Sequence, residues 1–181
     1  MKSIIASIVI VGCVSMCRAE GPYLANGVKV GDVSQDSAIV WVRLTAEPKR
    51  REGVVLKGPV STLPAGVKVD DLQGAVPGAP GRMRVRYGTR EDLSDSQVTP
   101  WVEGKAENDF THQFRLTGLK PATVVQYAAE VALLTSDSVS ATLRGRFATV
   151  PPEQAEADVR FTVITGQMYK DLDDPEGFLI Y

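Results

Sequence analysis

Between Arg82 and Tyr87 charged and apolar side chains alternate without a break, Arg82, Arg84 and Arg86 against Met83, Val85 and Tyr87. A period of two is the signature of a strand with one face in a core and one turned away from it. A chain with this stretch must bury a sheet face and leave the three arginines together on the other. Such a stripe has two readings, a solvated sheet face or a surface that holds phosphate groups.

The same texture runs through most of the chain. Strands are predicted over residues 27–33, 38–45, 83–89, 98–103, 110–116, 124–131 and 141–150, separated by Gly, Pro, Asp and Ser clusters. The polar tetrad Ser34-Gln35-Asp36-Ser37 suits a tight turn between the first two. About seven short strands at this spacing predict an immunoglobulin- or fibronectin-type β-sandwich. Residues 47–81 hold five prolines (48, 59, 64, 77 and 80) and read as an insertion, with short extra strands at 54–56 and 67–69. In the second strand both faces are apolar: Ile39 and Trp41 on one, Ala38, Val40, Val42 and Leu44 on the other. A half-exposed strand alternates. The second face is therefore expected to be covered, by the insertion or by a further domain.

Residues 151–158 are a polar linker, and the texture then changes. Residues 159–164 form a short apolar run of the kind buried in parallel sheets. Asp174-Pro175-Glu176 reads as a helix start, with Asp as cap, Pro in the first turn and Glu at the positive end of the dipole. One parallel-type strand and one helical turn cannot bury themselves. This segment is expected to open a second, α/β domain that stops short of completion.

The N-terminus carries Lys2, an apolar run over residues 4–14 and Cys17-Arg18-Ala19, the layout of a Sec signal peptide cleaved after Ala19. The rival reading uses Ile10-Val11-Gly12-Cys13 as a lipoprotein box with a lipid on Cys13. No twin-arginine pair is present in this segment. Secretion or a periplasmic location follows from the first reading, a membrane anchor only from the second. Both cysteines lie in this segment, so the mature chain is expected to have no disulfide, thiol nucleophile or thiolate metal site. The formal net charge of the whole sequence is −2; without Lys2 and Arg18 it is 18 basic residues against 22 acidic, or −4. No strong basic field marks the chain for nucleic acid.

Candidate chemistry is sparse. His112 is the sole histidine and shares strand parity with Phe110, Phe114 and Leu116, which fits a packed or rim histidine. Asp171, Asp173, Asp174 and Glu176 cluster near the end, but a calcium loop needs glycine at its sixth position, where Glu176 stands. No glycine-rich phosphate loop is present. A Ser-His-Asp triad lacks a usable histidine. No catalytic, metal-binding or cofactor-binding residue is assigned.

Gly27-Val28-Lys29-Val30-Gly31-Asp32 followed by Asp36-Ser37-Ala38-Ile39-Val40-Trp41-Val42-Arg43-Leu44 resembles the opening of the alkaline phosphatase D family, the PhoD-like metallophosphatases. Gly118-Leu119-Lys120-Pro121-Ala122-Thr123 with Tyr127 resembles its Gly-Leu-x-Pro-x-Thr stretch. Gly145-Arg146-Phe147-Ala148-Thr149-Val150-Pro151 resembles the end of its sandwich, and residues 161–167 the first strand of its phosphatase domain. The resemblance covers about residues 21–181. It implies a secreted phosphomonoesterase or phosphodiesterase with an N-terminal sandwich, a calcineurin-like catalytic domain, and iron and calcium as cofactors of the whole protein.

Three departures stand out. Where the family often has Ser-Cys-Gln, whose Cys binds iron, this chain has Thr165-Gly166-Gln167, and Gly166 cannot ligate a metal. The fibronectin-like tyrosine corner would place its tyrosine at Val125; here Tyr127 follows two residues later on the same face, which puts the usual corner bond in doubt. The family's well-known members also use a twin-arginine signal, unlike this chain.

The resulting expectation is a signal peptide over 1–19, a sandwich over 20–150, a linker over 151–158 and the start of a truncated phosphatase domain over 159–181. Such a chain is an accessory domain, inactive alone, whose partner is the missing catalytic domain and whose phosphate esters belong to the whole parent. The alternative is a stand-alone secreted fibronectin-type binding or adhesion module.

Overall fold

The alternating stretches become strands because each can hide one row of side chains only against a second sheet. A computed structural model describes residues 21–56, 63–136, 138–158 and 163. Its strands are β1 Lys29–Gly31, β2 Ser37–Arg43, β3 Gly81–Gly88, β4 Gln97–Val98, β5 Val102–Gly104, β6 Thr111–Thr117, β7 Val124–Ala132 and β8 Val139–Ala148. The smaller sheet has the order β1-β2-β6, and the larger β4-β3-β7-β8 with β5 also on β3. All these ladders are antiparallel. The stretch expected as one strand over 98–103 divides in two around Pro100, whose ring nitrogen has no hydrogen to give a ladder.

The core lies between the sheets. Val40, Val42, Leu44, Phe114 and Leu116 come from β2, β6 and their ends; Met83, Val85, Tyr127, Ala129 and Val131 come from β3 and β7. Val40, Val42, Leu44, Met83, Val85 and Val131 are fully buried. Each such aliphatic side chain contributes about 1.5–3 kcal/mol of transfer free energy, which opposes the ordering entropy of the strands. The β1–β2 turn closes on Ser34, whose Oγ accepts the backbone N–H of Ser37 at 2.9 Å and of Asp36 at 3.3 Å.

Before Gly81, where β3 begins, the insertion forms no strand among its described residues. It folds back on itself through one parallel pairing of Val54 with Leu72 and a short 3-10 turn at Val69–Asp71. Glu47 and the carbonyl of Asp70 both receive the Arg51 guanidinium, at 2.8 and 2.6 Å. Prolines and exposed valines there cannot extend a ladder or a core, which is why the two expected short strands do not form.

On the outer face of β2, Ile39 and Trp41 are half-buried. The insertion meets this face at Arg43, which acts as a staple. Its Nε and Nη2 donate to the two Asp109 carboxylate oxygens at 2.9 and 2.8 Å, and Nη1 to Asn26 Oδ1 and Val76 O, both at 2.7 Å.

Residues 149 and 150 tie the end of β8 to two turns. Thr149 Oγ1 donates to Lys120 O at 2.6 Å, and Val150 N donates to Ser34 O at 3.0 Å. The chain leaves the sandwich at that end. The expected signal peptide over residues 1–19, Cys13 within it, the Thr165-Gly166-Gln167 triplet and the acidic cluster at 171–176 lie outside the described residues; of residues 159–164 only Val163 is described, and it is exposed.

Candidate functional site

The outer face of the larger sheet gathers charge. Register places Arg84 opposite Glu130, and Arg86, Ala128 and Arg144 in one row across β3, β7 and β8; Gln126 faces Arg146. Glu130 is only 6 % exposed, although it stands on the side away from the core. A buried carboxylate is tolerable only with paired donors. Arg84 supplies them, with Nε at 2.7 Å and Nη2 at 2.6 Å from Glu130 Oε2, and Arg86 Nη1 approaches Oε1 at 3.5 Å. Trp101 covers the arginines: the Arg84 guanidinium lies 4.4 Å from its ring centroid and that of Arg82 5.3 Å. Arg82 also donates to the Ser136 carbonyl. The three arginines singled out in the sequence are thus neither a bare solvated face nor a free phosphate stripe. They are half-buried and held by Glu130, Trp101 and loop groups.

The loop between β3 and β4 lies over this face. Arg86 Nη2 donates to Ser96 Oγ at 3.3 Å and Arg144 Nη1 to Glu91 O at 3.1 Å, so arginines from two separated strands hold it down. Leu93 at its centre is 2 % exposed but outside the main core cluster, as is Ala128. Leu93 adopts a left-handed backbone, φ 57°, which costs a bulky residue about 1–2 kcal/mol. Asp95 pins the loop from within, accepting Thr89 Oγ1 at 2.6 Å, Thr89 N at 2.9 Å and Arg90 N at 3.2 Å. These hydrogen bonds, the Thr89 hydroxyl foremost, hold its carboxyl down at about 2.

Beside the loop is a cavity of about 200 Å³ lined by Glu91, Leu93, Gln126, Tyr127 and the run Arg144-Gly145-Arg146. Gly145 is required there, because a Cβ would collide with the Tyr127 hydroxyl. Tyr127 itself is buried, which pushes its phenol up, and its hydroxyl makes no hydrogen bond among the described residues, so the tyrosine-corner bond is not formed. Arg144 and Arg146 repeat the alternation of Arg82 to Arg86, with Gly145 between them and Leu143 and Phe147 on either side. That pattern was readable in the sequence. Glu130 also carried a signal, as a lone acid in the apolar run from Ala128 to Leu134.

His112 is half-buried, its ring edge-on to Phe114 with centroids 4.6 Å apart, and burial lowers its pKa. Among the described residues no three His, Cys, Asp or Glu side chains gather. Asp32 and Asp109 pair with Arg115 and Arg43, and Glu130 with Arg84. These residues do not fit the iron and calcium that the family resemblance implies.

Residues 13–151 match the family model described as PhoD-like phosphatase, N-terminal domain. No curated protein matches the chain. Among solved structures it is similar to PhoD, at 19 % identity and TM-score 0.48, over 75 % of this chain and 20 % of that one. It is also similar to a computationally redesigned β-sandwich protein, at 16 % identity and TM-score 0.41, over 70 % of this chain and 94 % of the other. A third likeness is to a fibronectin type III domain derived from human KIAA0970 protein, at 12 % identity and TM-score 0.41, over 80 % and 88 %. The chain spans 20 % of the PhoD chain's length.

Proposed function

The chain belongs to the PhoD-like phosphatase family through its N-terminal domain, and from that premise we propose that the sandwich is the accessory domain of a secreted phosphatase or phosphodiesterase and does not itself catalyse. The family match over residues 13–151 carries this reading. Two-metal phosphoryl chemistry needs several Asp, His and Asn ligands around a pair of metals about 4 Å apart. This sequence has one histidine, packed on Phe114. The domain's part is mechanical. The bonds from Thr149 and Val150 to the two turns fix the end of the sandwich from which the linker leaves; on this reading that end positions the catalytic domain that residues 159–181 would open.

The test is a phosphatase assay on the purified chain with p-nitrophenyl phosphate and its diester, with iron and calcium added. The expected outcome is no turnover above buffer; sustained metal-dependent turnover that follows the protein through purification overturns the reading. Export is proposed to use the Sec-type segment, so N-terminal sequencing of exported protein is expected to begin at Glu20. A lipid on Cys13 would show instead that the chain is anchored.

A further inference from the structure

We propose that the cavity beside the β3–β4 loop binds a small organic oxyanion, a molecule with one carboxylate or phosphate group and a short apolar part. The inference is independent of the accessory role. Among the described residues Arg144 and Arg146 stand against Glu91 as the only acid lining the cavity, so the lining is net positive on a chain whose formal net charge is −2. Their donors are not equally engaged. Arg144 gives one to Glu91 O, whereas Arg146 has no hydrogen-bond or ion-pair partner among the described residues. A guanidinium offers five N–H donors in a fixed fork that suits the paired oxygens of a carboxylate or phosphate. Gln126, opposite Arg146 on β7, adds a neutral amide that can donate or accept.

The walls are held in place before any ligand arrives. Asp95 ties the loop with three hydrogen bonds, Arg86 and Arg144 clamp it from two strands, and Leu93 is kept buried in a left-handed conformation. Strain retained at a cavity wall is a mark of binding sites, and rigid walls lower the ordering cost of binding. Leu93 supplies apolar surface at the same cavity. Its volume of about 200 Å³ is below the range of about 300–1,000 Å³ typical of drug-sized ligands, which limits the occupant to a small molecule. The remaining arginines of the face are not part of the site, since Arg84 and Arg86 are paired with Glu130.

The experiment is an NMR titration of the ¹⁵N-labelled chain with inorganic phosphate, phenyl phosphate and benzoate in separate arms. Saturable shifts are expected at the amides of Leu93, Gln126, Gly145 and Arg146. The tighter of the two organic ligands identifies phosphate or carboxylate as the preferred head group, and weaker binding of inorganic phosphate than of phenyl phosphate shows that the apolar part contributes. Arg146→Ala is expected to weaken binding about tenfold, the size of one lost charge-assisted hydrogen bond, with an unchanged unfolding midpoint because the side chain is exposed and unpaired. Lys29→Ala, on the other sheet, is expected to leave binding unchanged. Linear, unsaturated shifts in all three arms overturn the proposal, and so does saturation that Arg146→Ala leaves intact.

Discussion

On the outer side of the larger sheet, long cationic side chains lie flat and bury a carboxylate; on the outer side of the smaller sheet, Ile39 and Trp41 stand half-buried with Gly31 and Arg115, and Lys29 and Gln113, as their ladder neighbours. Both faces belong to the same sandwich and both are adjacent to an apolar core. The difference lies in what each strand places beside its neighbour. Arg82, Arg84 and Arg86 run along β3 next to the small outward residues Ala128 and Ala132, so their stems cover β7 and make a low-dielectric floor for Glu130. On the smaller sheet only Arg43, at the end of β2, is drawn in, with its side chain 13 % exposed. One face is therefore a cross-linked layer, the other an apolar strip stapled at one end.

The sharpest way to break this comparison is to remove Glu130. Glu130→Ala leaves Arg84 and Arg86, neighbours on β3, without their carboxylate in a partly dry layer and is expected to cost about 3 kcal/mol or more in chemical denaturation. A cost near zero would mean the layer is no more than surface. Arg43→Ala tests the opposite face. It removes four donated hydrogen bonds from three separate segments and is expected to cost about 2 kcal/mol, with faster amide exchange in residues 75–79 as the insertion loosens. Trp101→Ala removes the ring that Arg84 and Arg82 lie on and is expected to cost about 1 kcal/mol, read as a shift in urea midpoint at constant slope.

The smallest effect concerns pH. Asp95 has a folded-state pKa of about 2 against an ordinary value of 3.8, so its hydrogen bonds stabilise the fold above about pH 4 and that contribution fades as pH falls from there towards 2. The stability gap between the parent chain and Asp95→Asn is expected to narrow over that interval. A gap that stays constant would show that the loop does not depend on the ionised carboxylate.

Much of the fold was legible in the chain. The alternation in residues 82–87 put Met83 and Val85 in the core and the arginines outside it, because side chains on a strand must take opposite sides. The Ser34 turn was legible because its hydroxyl satisfies nearby backbone N–H groups. The insertion was not, because Val54 and Val69 carry strand propensity but have no long partner to pair with. The arginine layer was only half legible. Its cations were visible in order, while the paired acid sits 46 residues from Arg84.

By itself, then, the sequence determined the sheet texture, the inward and outward sides of β3 and the family to which the sandwich belongs. Tertiary structure alone decided which groups meet across those sides. That Arg84 faces Glu130, and that Arg86, Ala128 and Arg144 share one row, follows from the register between β3, β7 and β8. Register is set when the inner faces pack, and a slip of one residue would turn every outward side chain inward. The physical cost of burying those charges selects a single alignment, and with it the cavity beside Arg146.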